Sequence, residues 1–419
     1  YNAQGRCLKD HFASYETQYP RSGWHEQRPE DWWASVVSST RALLTGSDIP
    51  CKDIAAIGIS GHSLGVVPLD AEGRLLREQG PIWSDSRPDT QMAEFFAKVP
   101  ESQWYLTTGN GFPPALYTVF KIMWLRDKEP ELFARIHKVI GTKDYINFRM
   151  TGVMATDYSY ASGSGVYDLT GWKYSEQLIE ASSLDPSIFP EIMASTDVLG
   201  TLTAQAAREL SLPEGVKVVA GGVDNSCMAL GARAHKEGDC YNSMGSSSWI
   251  AVTSARPLLD EDARPYVFTH VVPDKFTSAL GVFSTGSSFR WVREQLCTNL
   301  DAPAHKAGVS TYDLMIELAA DSDIGAGATM FLPTMAGGSS LDHSQNVRGA
   351  FVNLDLGNTQ ADLIRASMEG VAMSLQLALK ALERITHVSG EMVAVGGGSR
   401  SDLWMQIYAD LYNKDMVRT

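Results

Sequence analysis

The sequence lacks the features that would place the chain in a membrane or on a nucleic acid. No apolar run approaches the roughly 20 residues that a helix needs to cross a bilayer. Basic residues are the minority, since 35 Lys and Arg stand against 49 Asp and Glu, which gives a formal net charge of −14 at pH 7. Such a charge disfavours binding to phosphate backbones and to anionic lipid. We therefore expect no nucleic acid and no membrane as partners.

Cysteine is scarce as well. The chain has five, far apart and without a CxxC pair: Cys7, Cys51, Cys227, Cys240 and Cys297. An odd number without close spacing predicts reduced thiols and a cytoplasmic protein. Cys227 follows Asp224 closely and has two interpretations, a nucleophile or a small packed residue, of which packing is favoured.

Two familiar nucleotide-binding motifs are missing. The chain contains no Walker A lysine motif, and the glycines at 396–398 do not fit GxGxxG with a downstream ribose acid. P-loop and Rossmann sites are therefore poorly supported. Those glycines do lie between a predicted strand at 392–395 and a predicted helix at 402–411, which is a setting that suits a nucleotide phosphate.

The composition that is present, 44% hydrophobic and 20% charged over 419 residues, is typical of a globular protein with two or three domains. The most informative stretch runs from 216 to 232. Its β-branched residues predict a buried strand, and Gly221 and Gly222 predict a tight turn. Asp224 then stands where a helix begins, either as an N-cap or as a general base for a substrate hydroxyl.

The N-terminal half carries a second candidate for ligand contact. The pattern predicts a helix at 29–44, a strand at 54–60 and another strand at 66–69. His62 lies in the polar turn after the first strand, and ligands of α/β sheets bind at strand carboxyl ends. A ligand contact and a structural role are equally open for it.

Trp83, Asp85 and Arg87 occupy alternate positions, which a strand would aim in one direction. An aromatic ring with an acid and an arginine is a plausible sugar-binding set, and the alternative is a structural Asp–Arg pair beneath a core tryptophan. The small, polar stretch 156–165 predicts a loop, either over a cleft or on the surface.

The C-terminal half is rich in glycine turns beside predicted strands and helices. Residues 239–252 predict a β-hairpin whose tip, Gly245 to Ser248, has backbone N–H groups and hydroxyls that could hold phosphate. Taken alone this signal is weak, because Gly and Ser are ordinary turn residues. Another helix is predicted to open near Gly286, and a long helix at 360–383.

Together these segments resemble the FGGY family of carbohydrate kinases, within the superfamily of actin, hexokinase and heat-shock-protein ATPases. The resemblance covers almost the whole chain and rests on segments that follow one another in the family's order: 23–33, 58–61 with 69–70, 83–87, 121–125, 220–225, 349–370 and 396–398. Each segment is modest, and the ordered set is highly specific.

The resemblance implies an α/β protein of two actin-like (ribonuclease H-like) domains, with mixed sheets flanked by helices and an interdomain cleft. We expect a sugar-binding domain at 1–214 and a nucleotide-binding domain at 215–419. It also implies that the family's first phosphate hairpin precedes Tyr1 and that closing helices follow Thr419, so we expect the printed chain to be truncated at both ends.

The resemblance further implies an ATP-dependent kinase, with Mg²⁺, that phosphorylates a hydroxyl of a ketopentose, ketohexose or related sugar, in the manner of xylulose kinases. Asp224 would be the catalytic base. The implied substrate-binding residues are His62, Ser63, Trp83, Asp85, Arg87, Asp224 and Asn225. The implied nucleotide-binding residues are Gly245, Ser246, Ser247, Gly286, Arg290, Gly397 and Ser401. A small-molecule sugar is the expected partner, and a homodimer is left open.

The sugar loop departs from the family pattern. His62 replaces a Gln, and Ser63-Leu64 stand where xylulose kinases usually carry Met-His and glycerol kinases Arg-Glu, which speaks against assigning either sugar. Two other hypotheses stay open at this point. One is a regulatory homologue that binds sugar or nucleotide with impaired turnover, and the weaker one is a dinucleotide oxidoreductase that uses the glycines at 396–398.

Overall fold

The computed structural model describes residues 1–46, 49–339, 341–342, 344 and 346–418. The chain divides into two compact units. The N-terminal unit comprises Tyr1–Met228 and Val267–Lys275, and the C-terminal unit comprises Ala229–Tyr266 and Phe276–Thr419. The division at 214/215 stays a prediction about the domain limits. Among the described residues, none of the helices combines the length and the apolarity that crossing a membrane requires.

The α-helices are α1 Pro29–Thr45, α2 Thr90–Phe96, α3 Glu101–Thr108, α4 Thr118–Lys128, α5 Pro130–Phe133, α6 Thr142–Thr151, α7 Tyr158–Ser162, α8 Glu176–Ser182, α9 Ala204–Leu210, α10 Asp224–Gly231, α11 Gly286–Leu296, α12 Asp301–Ala307, α13 Thr311–Asp321, α14 Gln360–Ile385 and α15 Asp402–Tyr412.

The strands are β1 Glu26–Gln27, β2 Ala56–Ile57, β3 Ser60–Gly61, β4 Val67–Leu69, β5 Gly80–Pro81, β6 Lys138–Ile140, β7 Ala155–Asp157, β8 Tyr167–Asp168, β9 Lys173–Tyr174, β10 Glu191–Met193, β11 Val198–Thr201, β12 Lys217–Val219, β13 Gly222–Val223, β14 Cys240–Met244, β15 Ser248–Ser254, β16 Tyr266–Thr269, β17 Phe276–Val282, β18 Met330–Leu332, β19 Ala350–Val352, β20 Glu391–Val395 and β21 Asp415–Arg418.

In the N-terminal unit, two segments with predicted strands each form two short strands. The run predicted at 54–60 forms β2 and β3, and the run that begins at Val216 forms β12 and β13. β12 lies between β11 and β2, whereas β13 pairs with β3 in a separate two-stranded sheet. The expectation of one continuous strand at 54–60 was therefore wrong, because the chain changes its pairing partner between β2 and β3.

The helix predicted at 29–44 is confirmed as α1, which begins with a proline in its first turn and carries Glu30 and Asp31 there. Proline suits the first turn because the backbone N–H that it lacks has no partner within the helix there. Acids suit the first turn because they interact favourably with the helix dipole. The buried Trp32 and Trp33 of α1 pack in one apolar cluster with residues of β4, α6, α9 and β12. This cluster forms a core of the N-terminal unit.

The segment 156–165, predicted as a loop, is instead buried. It contains the end of β7 and all of α7, and Asp157, Ser159 and Ser162 have no exposed surface. β7 pairs with β10, and the Asp157 carboxylate accepts hydrogen bonds from the amides of Ser159 and Tyr160 at the start of α7. The polar composition predicted a loop, over a cleft or on the surface, but these polar groups bond to one another inside the unit.

The C-terminal unit is built on a large mixed sheet. Within that unit its strands lie in the order β17-β15-β14-β20-β21, with β14 and β15 antiparallel and β14 and β20 parallel. The predicted long helix is confirmed as α14, whose apolar face packs in one cluster with residues of β15, β17 and β20. The predicted hairpin is also confirmed, as β14 and β15.

Candidate active site

The parallel pairing of β3 with β13 brings two loops of the N-terminal unit to one edge. Gly222 pairs with Ser60, and Val223 pairs with Gly61. His62 follows β3 directly, and Asp224 follows β13 directly. Because carboxyl ends of parallel strands share an edge, the structure places these two predicted residues at the same side of the small sheet.

Asp224 is the first residue of α10 and reaches solvent. One carboxylate oxygen accepts a hydrogen bond from the Asn225 amide at 2.8 Å. Desolvation by the surrounding protein raises the pKa of the Asp224 carboxyl above its usual 3.8, and hydrogen bonds from backbone amides oppose the rise only partly. A raised pKa brings a carboxylate closer to the range in which it serves as a general base.

The turn before Asp224 requires glycine. Gly221 has a φ of +69°, and a Cβ atom there would lie 2.2 Å from the Ile59 carbonyl oxygen. Neither the backbone conformation nor the close approach tolerates a side chain. The predicted turn is therefore confirmed, and its tightness fixes where α10 begins.

His62 lies in the predicted turn. The protein around its ring lowers the pKa of the imidazole to about 4, because burial disfavours the charged form. The ring meets Trp32 edge to face at a centroid distance of 5.9 Å, and the backbone carbonyl of His62 accepts a hydrogen bond from Thr142 Oγ1 at 2.7 Å. Its neighbour Ser63 is buried. His62 is therefore neutral and firmly held.

The segment 82–87 is not a strand, so the expectation that it aims three side chains in one direction was wrong. Trp83 is 50% exposed, whereas the side chains of Asp85 and Arg87 are fully buried and bonded to each other at 2.7 Å. This geometry matches the structural Asp–Arg pair, but Trp83 is not a core tryptophan above it. Sugar contacts by these three residues stay predictions.

Lys121 of α4 is a residue whose place the sequence did not reveal. Its side chain is fully buried, and its Nζ donates to the carbonyls of Leu64 at 2.9 Å and Ile82 at 2.7 Å. It therefore joins the His62 loop to the loop that carries Trp83. Burial lowers the pKa of the Lys121 ammonium to about 7, although the nearby Asp85 carboxylate opposes the shift.

The C-terminal unit contains a cavity of about 660 Å³. Six of the seven predicted nucleotide-binding residues line it: Gly245, Ser246, Gly286, Arg290, Gly397 and Ser401. Ser247 is not among its lining residues. Loops from three distant parts of the sequence therefore meet at one concave surface large enough for a nucleotide.

The hairpin tip is bonded to the start of α11. The amide of Gly286 donates to the Gly245 carbonyl at 3.1 Å, and the amides of Thr285 and Ser287 donate to the Ser246 carbonyl at 3.1 and 3.0 Å. A Cβ atom on Gly286 would lie 2.3 Å from the Gly245 oxygen. Glycine is therefore needed at 286 for this contact.

The second glycine loop lies at the same end of the sheet, because β14 and β20 are parallel neighbours. Gly396 has a φ of +98° and packs against the backbone of Met244, the last residue of β14. Ser401 caps α15, since its hydroxyl accepts a hydrogen bond from the Trp404 amide at 3.2 Å. A nucleotide contact by Ser401 would be additional to this cap.

Aromatic residues that we did not predict line the same cavity: Phe289, Tyr312, Trp404 and Tyr408. The Phe289 and Tyr312 rings stack at a centroid distance of 5.8 Å with an interplanar angle of 20°. The spacing of Trp404 and Tyr408, one helical turn apart, would have been the available signal. Tyr312 lies at the start of α13, where the sequence gives no sign of ligand contact.

Both halves of the chain match models of known protein domains. The model of the N-terminal domain of FGGY carbohydrate kinases matches residues 1–231, and the model of the C-terminal domain matches residues 240–419. The chain belongs to the FGGY family of carbohydrate kinases. It is therefore a sugar kinase, a phosphotransferase with an alcohol acceptor, and kinases of this family use ATP as the phosphoryl donor. The dinucleotide oxidoreductase hypothesis has no support left.

Individual FGGY relatives agree. The xylulose kinase of Staphylococcus xylosus is 28% identical over 412 residues, which is 98% of this chain and 82% of the relative. The gluconokinase of Bacillus subtilis is 25% identical over 419 residues, covering 100% and 80% of the two chains. The crystal structure of xylulose kinase from Rhodospirillum rubrum superposes with a TM-score of 0.85 at 30% identity, covering 96% of this chain and 80% of that one. The predicted fold class of two actin-like domains is confirmed.

Proposed function

We propose that this FGGY kinase transfers the γ-phosphoryl group of ATP to a hydroxyl of a neutral ketose, a ketopentose or ketohexose, in the manner of the xylulose kinases that it resembles. The observation that carries the proposal is the pairing of β3 with β13, which places His62 and Asp224 at one edge. A regulatory homologue without turnover is not favoured, because the relatives described above are named as kinases.

The charges beside the candidate sugar loops favour a neutral sugar over a sugar acid. His62 is uncharged above about pH 4. Arg87 is fully buried and forms ion pairs with both Asp85 and Glu26. Within segments 60–65 and 82–87, all of which the structure describes, there is consequently no cation exposed to pair with a carboxylate. A gluconate-like substrate would bury its charge there at a cost.

In the proposed reaction, Asp224 accepts the proton of the attacking sugar hydroxyl. The hydroxyl oxygen forms a bond to the γ-phosphorus, and the bond from that phosphorus to the bridging oxygen of ADP breaks. The carboxylate is suited to this step because its raised pKa strengthens it as a base. His62, Ser63, Asn225 and the half-exposed Trp83 are the proposed sugar contacts.

For the nucleotide, we assign the phosphates to the glycine-containing turns at 245–247, 286 and 397, with Arg290 and Ser401 nearby. Mg²⁺ would offset phosphate charge during the transfer. Among the described residues, no three His, Cys, Asp or Glu side chains form a group that could hold a metal ion. Mg²⁺ keeps several waters and binds largely through substrate phosphates. Asp85 and Arg87 are proposed to support the sugar loop. The cytoplasmic location and the homodimer stay predictions.

The test is ADP release by the protein as its gene encodes it, across ketopentoses, ketohexoses, polyols and aldonic acids. We expect one neutral ketose to stimulate release, and we expect Asp224→Asn to abolish that stimulation while ATP still binds. An aldonic acid as the best substrate would overturn the neutral-sugar proposal. Sugar-stimulated release that survives in Asp224→Asn would overturn the assignment of the base.

A further inference from the structure

A cluster of buried charges lies within the N-terminal unit, in residues to which the resemblance assigned no role. Lys143 and Asp144 of α6 and Asp157 at the end of β7 have side chains with no exposed surface. Lys143 Nζ contacts Asp144 Oδ1 at 2.5 Å and Asp157 Oδ1 at 2.8 Å. Burying three ionised groups is costly, and an apolar core of the same volume would often be as stable.

This cluster holds the backbone that precedes Asp224. Lys143 Nζ donates to the Ala220 carbonyl at 3.1 Å. Ser159 Oγ accepts a hydrogen bond from the Val223 amide at 2.9 Å and donates to Asp157 Oδ2 at 2.5 Å. Lys143 therefore holds the peptide group before the turn at Gly221 and Gly222, and Asp157, through Ser159, holds the one after it. This second group is the amide of Val223, the residue directly before Asp224.

The same stretch of α6 also holds the His62 loop. Thr142, the residue before Lys143, donates from its hydroxyl to the His62 carbonyl at 2.7 Å. A Cβ atom on Gly61 would lie 2.8 Å from Lys143 Cβ, so the loop backbone packs directly on that side chain. Adjacent residues of one helix thus contact both loops, Thr142 on the sugar side and Lys143 on the Asp224 side.

Lys143 stays charged in this setting. Burial opposes its charge, but attraction to the Asp144 and Asp157 carboxylates is the stronger influence, and the pKa of the ammonium is raised. Asp157 Oδ2 also accepts from Ser195 Oγ at 2.7 Å, and Asp144 Oδ2 accepts from Thr156 Oγ1 at 2.7 Å. Hydroxyls therefore satisfy the carboxylate oxygens that Lys143 does not reach. A fully satisfied buried network of this kind favours one rigid arrangement.

We propose that Lys143, Asp157 and Ser159 are positioning residues for the phosphoryl transfer, which hold Asp224 in fixed register with the His62 loop. This inference rests on the proposed role of Asp224 as the base. Ser159 provides the most direct test, because its hydroxyl bridges the Asp157 carboxylate and the Val223 amide. Loss of this bridge frees the peptide next to Asp224, and a base displaced by about 1 Å can cost on the order of 10²-fold in rate.

The experiment compares Ser159→Ala with Ser182→Ala, a matched control. Ser182 is equally buried, its Oγ donates to the Ile179 carbonyl at 2.6 Å, and it accepts from the Leu184 amide at 3.2 Å. It lies at the end of α8 and has no link to the two loops in these bonds. We expect Ser159→Ala to lower kcat by about 10- to 100-fold, with the KM values for ketose and ATP within about twofold, and Ser182→Ala to leave kcat nearly unchanged.

A near-normal kcat in folded Ser159→Ala, or an equal fall in Ser182→Ala, would overturn the inference. If Ser159→Ala does not fold, Ser159→Cys is measured in its place, because cysteine keeps a weaker donor and acceptor. The inference then requires that Ser159→Cys lower kcat and leave the KM values for ketose and ATP nearly unchanged. Asp224→Asn is measured in parallel. Full activity in that variant would refute the proposed base itself, which separates failure of the proposed function from failure of the positioning role.

Discussion

The guanidinium of Arg87 lies 4.0 Å from the centre of the Trp24 ring. Its Nη2 donates to Glu26 Oε1 and Asp85 Oδ2, both at 2.7 Å, and the His25 amide donates to Asp85 Oδ2 at the same distance. These contacts hold residues 24–26 against residues 85–87. The exposed Trp83 stands on a segment that this buried network holds in place.

Removing the arginine should therefore destabilise the protein strongly. Arg87→Ala leaves the Asp85 carboxylate buried without its ion-pair partner, which typically costs about 3–5 kcal/mol, and leaves Glu26 paired only with Arg77 at 3.1 Å. Urea unfolding followed by tryptophan fluorescence measures the loss. Arg74→Ala is the control, because Arg74 pairs with Asp70 and Glu72 but is 70% exposed, so its loss should be much smaller. Equal losses of unfolding free energy in the two variants would show that the buried Arg87 network is no more stabilising than an exposed ion pair.

The activity should fall on the acid side in a way that Asp224 controls. Because desolvation raises the pKa of its carboxyl above 3.8, the base becomes protonated, and loses its function, as pH falls through that raised value. We expect kcat/KM to decline there by up to about tenfold per pH unit. His62→Gln should leave the inflection in place, since His62 is neutral above about pH 4.

The measurement is the pH dependence of kcat/KM for both proteins, from pH 4.5 to 8.5 at constant ionic strength. An inflection that disappears in His62→Gln would assign the acid limb to the histidine instead. A flat profile in the wild-type protein, with chemistry shown to be rate-limiting, would argue against any carboxylate base.

Lys121 predicts how stability varies with pH. Its pKa is about 7 in the folded protein and about 10.4 in an unfolded chain. Between these values the unfolded state holds the proton that the folded state has released, so the free energy of unfolding rises with pH, by up to about 1.4 kcal/mol per unit. Below pH 7 both states are protonated, and this contribution to the slope vanishes.

Lys121→Met should remove that slope. Methionine keeps the length of the side chain, but it leaves the Leu64 and Ile82 carbonyls without their donor, at a pH-independent cost of about 1–3 kcal/mol each. We would measure urea unfolding of both proteins from pH 7 to 9. The gap between wild type and variant should widen as pH rises, and a gap that stays constant would show that Lys121 is charged throughout.

The sequence predicted those parts of the site that depend on local chemistry. Glycine is needed at 221, in the turn before Asp224, because Gly221 has a positive φ and lies close to the Ile59 backbone. β-branched residues followed by glycines signal such a turn directly. Hairpin β14–β15 and helix α14 followed from turn residues and from apolar periodicity. These features are encoded within a few neighbouring residues.

Other parts depend on partners far away in the chain. β3 pairs with β13 across more than 150 residues, so the meeting of His62 and Asp224 could be expected only through the resemblance. Polar residues such as Asp157 and Ser159 predicted a loop, because composition cannot show that a distant Lys143 compensates a buried carboxylate. Arg87 was likewise ambiguous until its partner Glu26 was placed.

Gly286 offers a test of the nucleotide site that spares the sugar site. A Cβ atom at 286 would lie 2.3 Å from the Gly245 carbonyl oxygen, so Gly286→Ala should push the hairpin tip away from α11 and disturb the phosphate turn. We expect the Kd for ATP to rise by at least about tenfold, that is by 1.4 kcal/mol or more, while the Kd for the ketose changes little. Titration calorimetry with each ligand measures both constants.

The control is Gly390→Ala, a glycine of the same unit around which a Cβ would meet nothing within 4 Å. Unchanged ATP binding in folded Gly286→Ala would show that the phosphates lie elsewhere than at the turns 245–247 and 286.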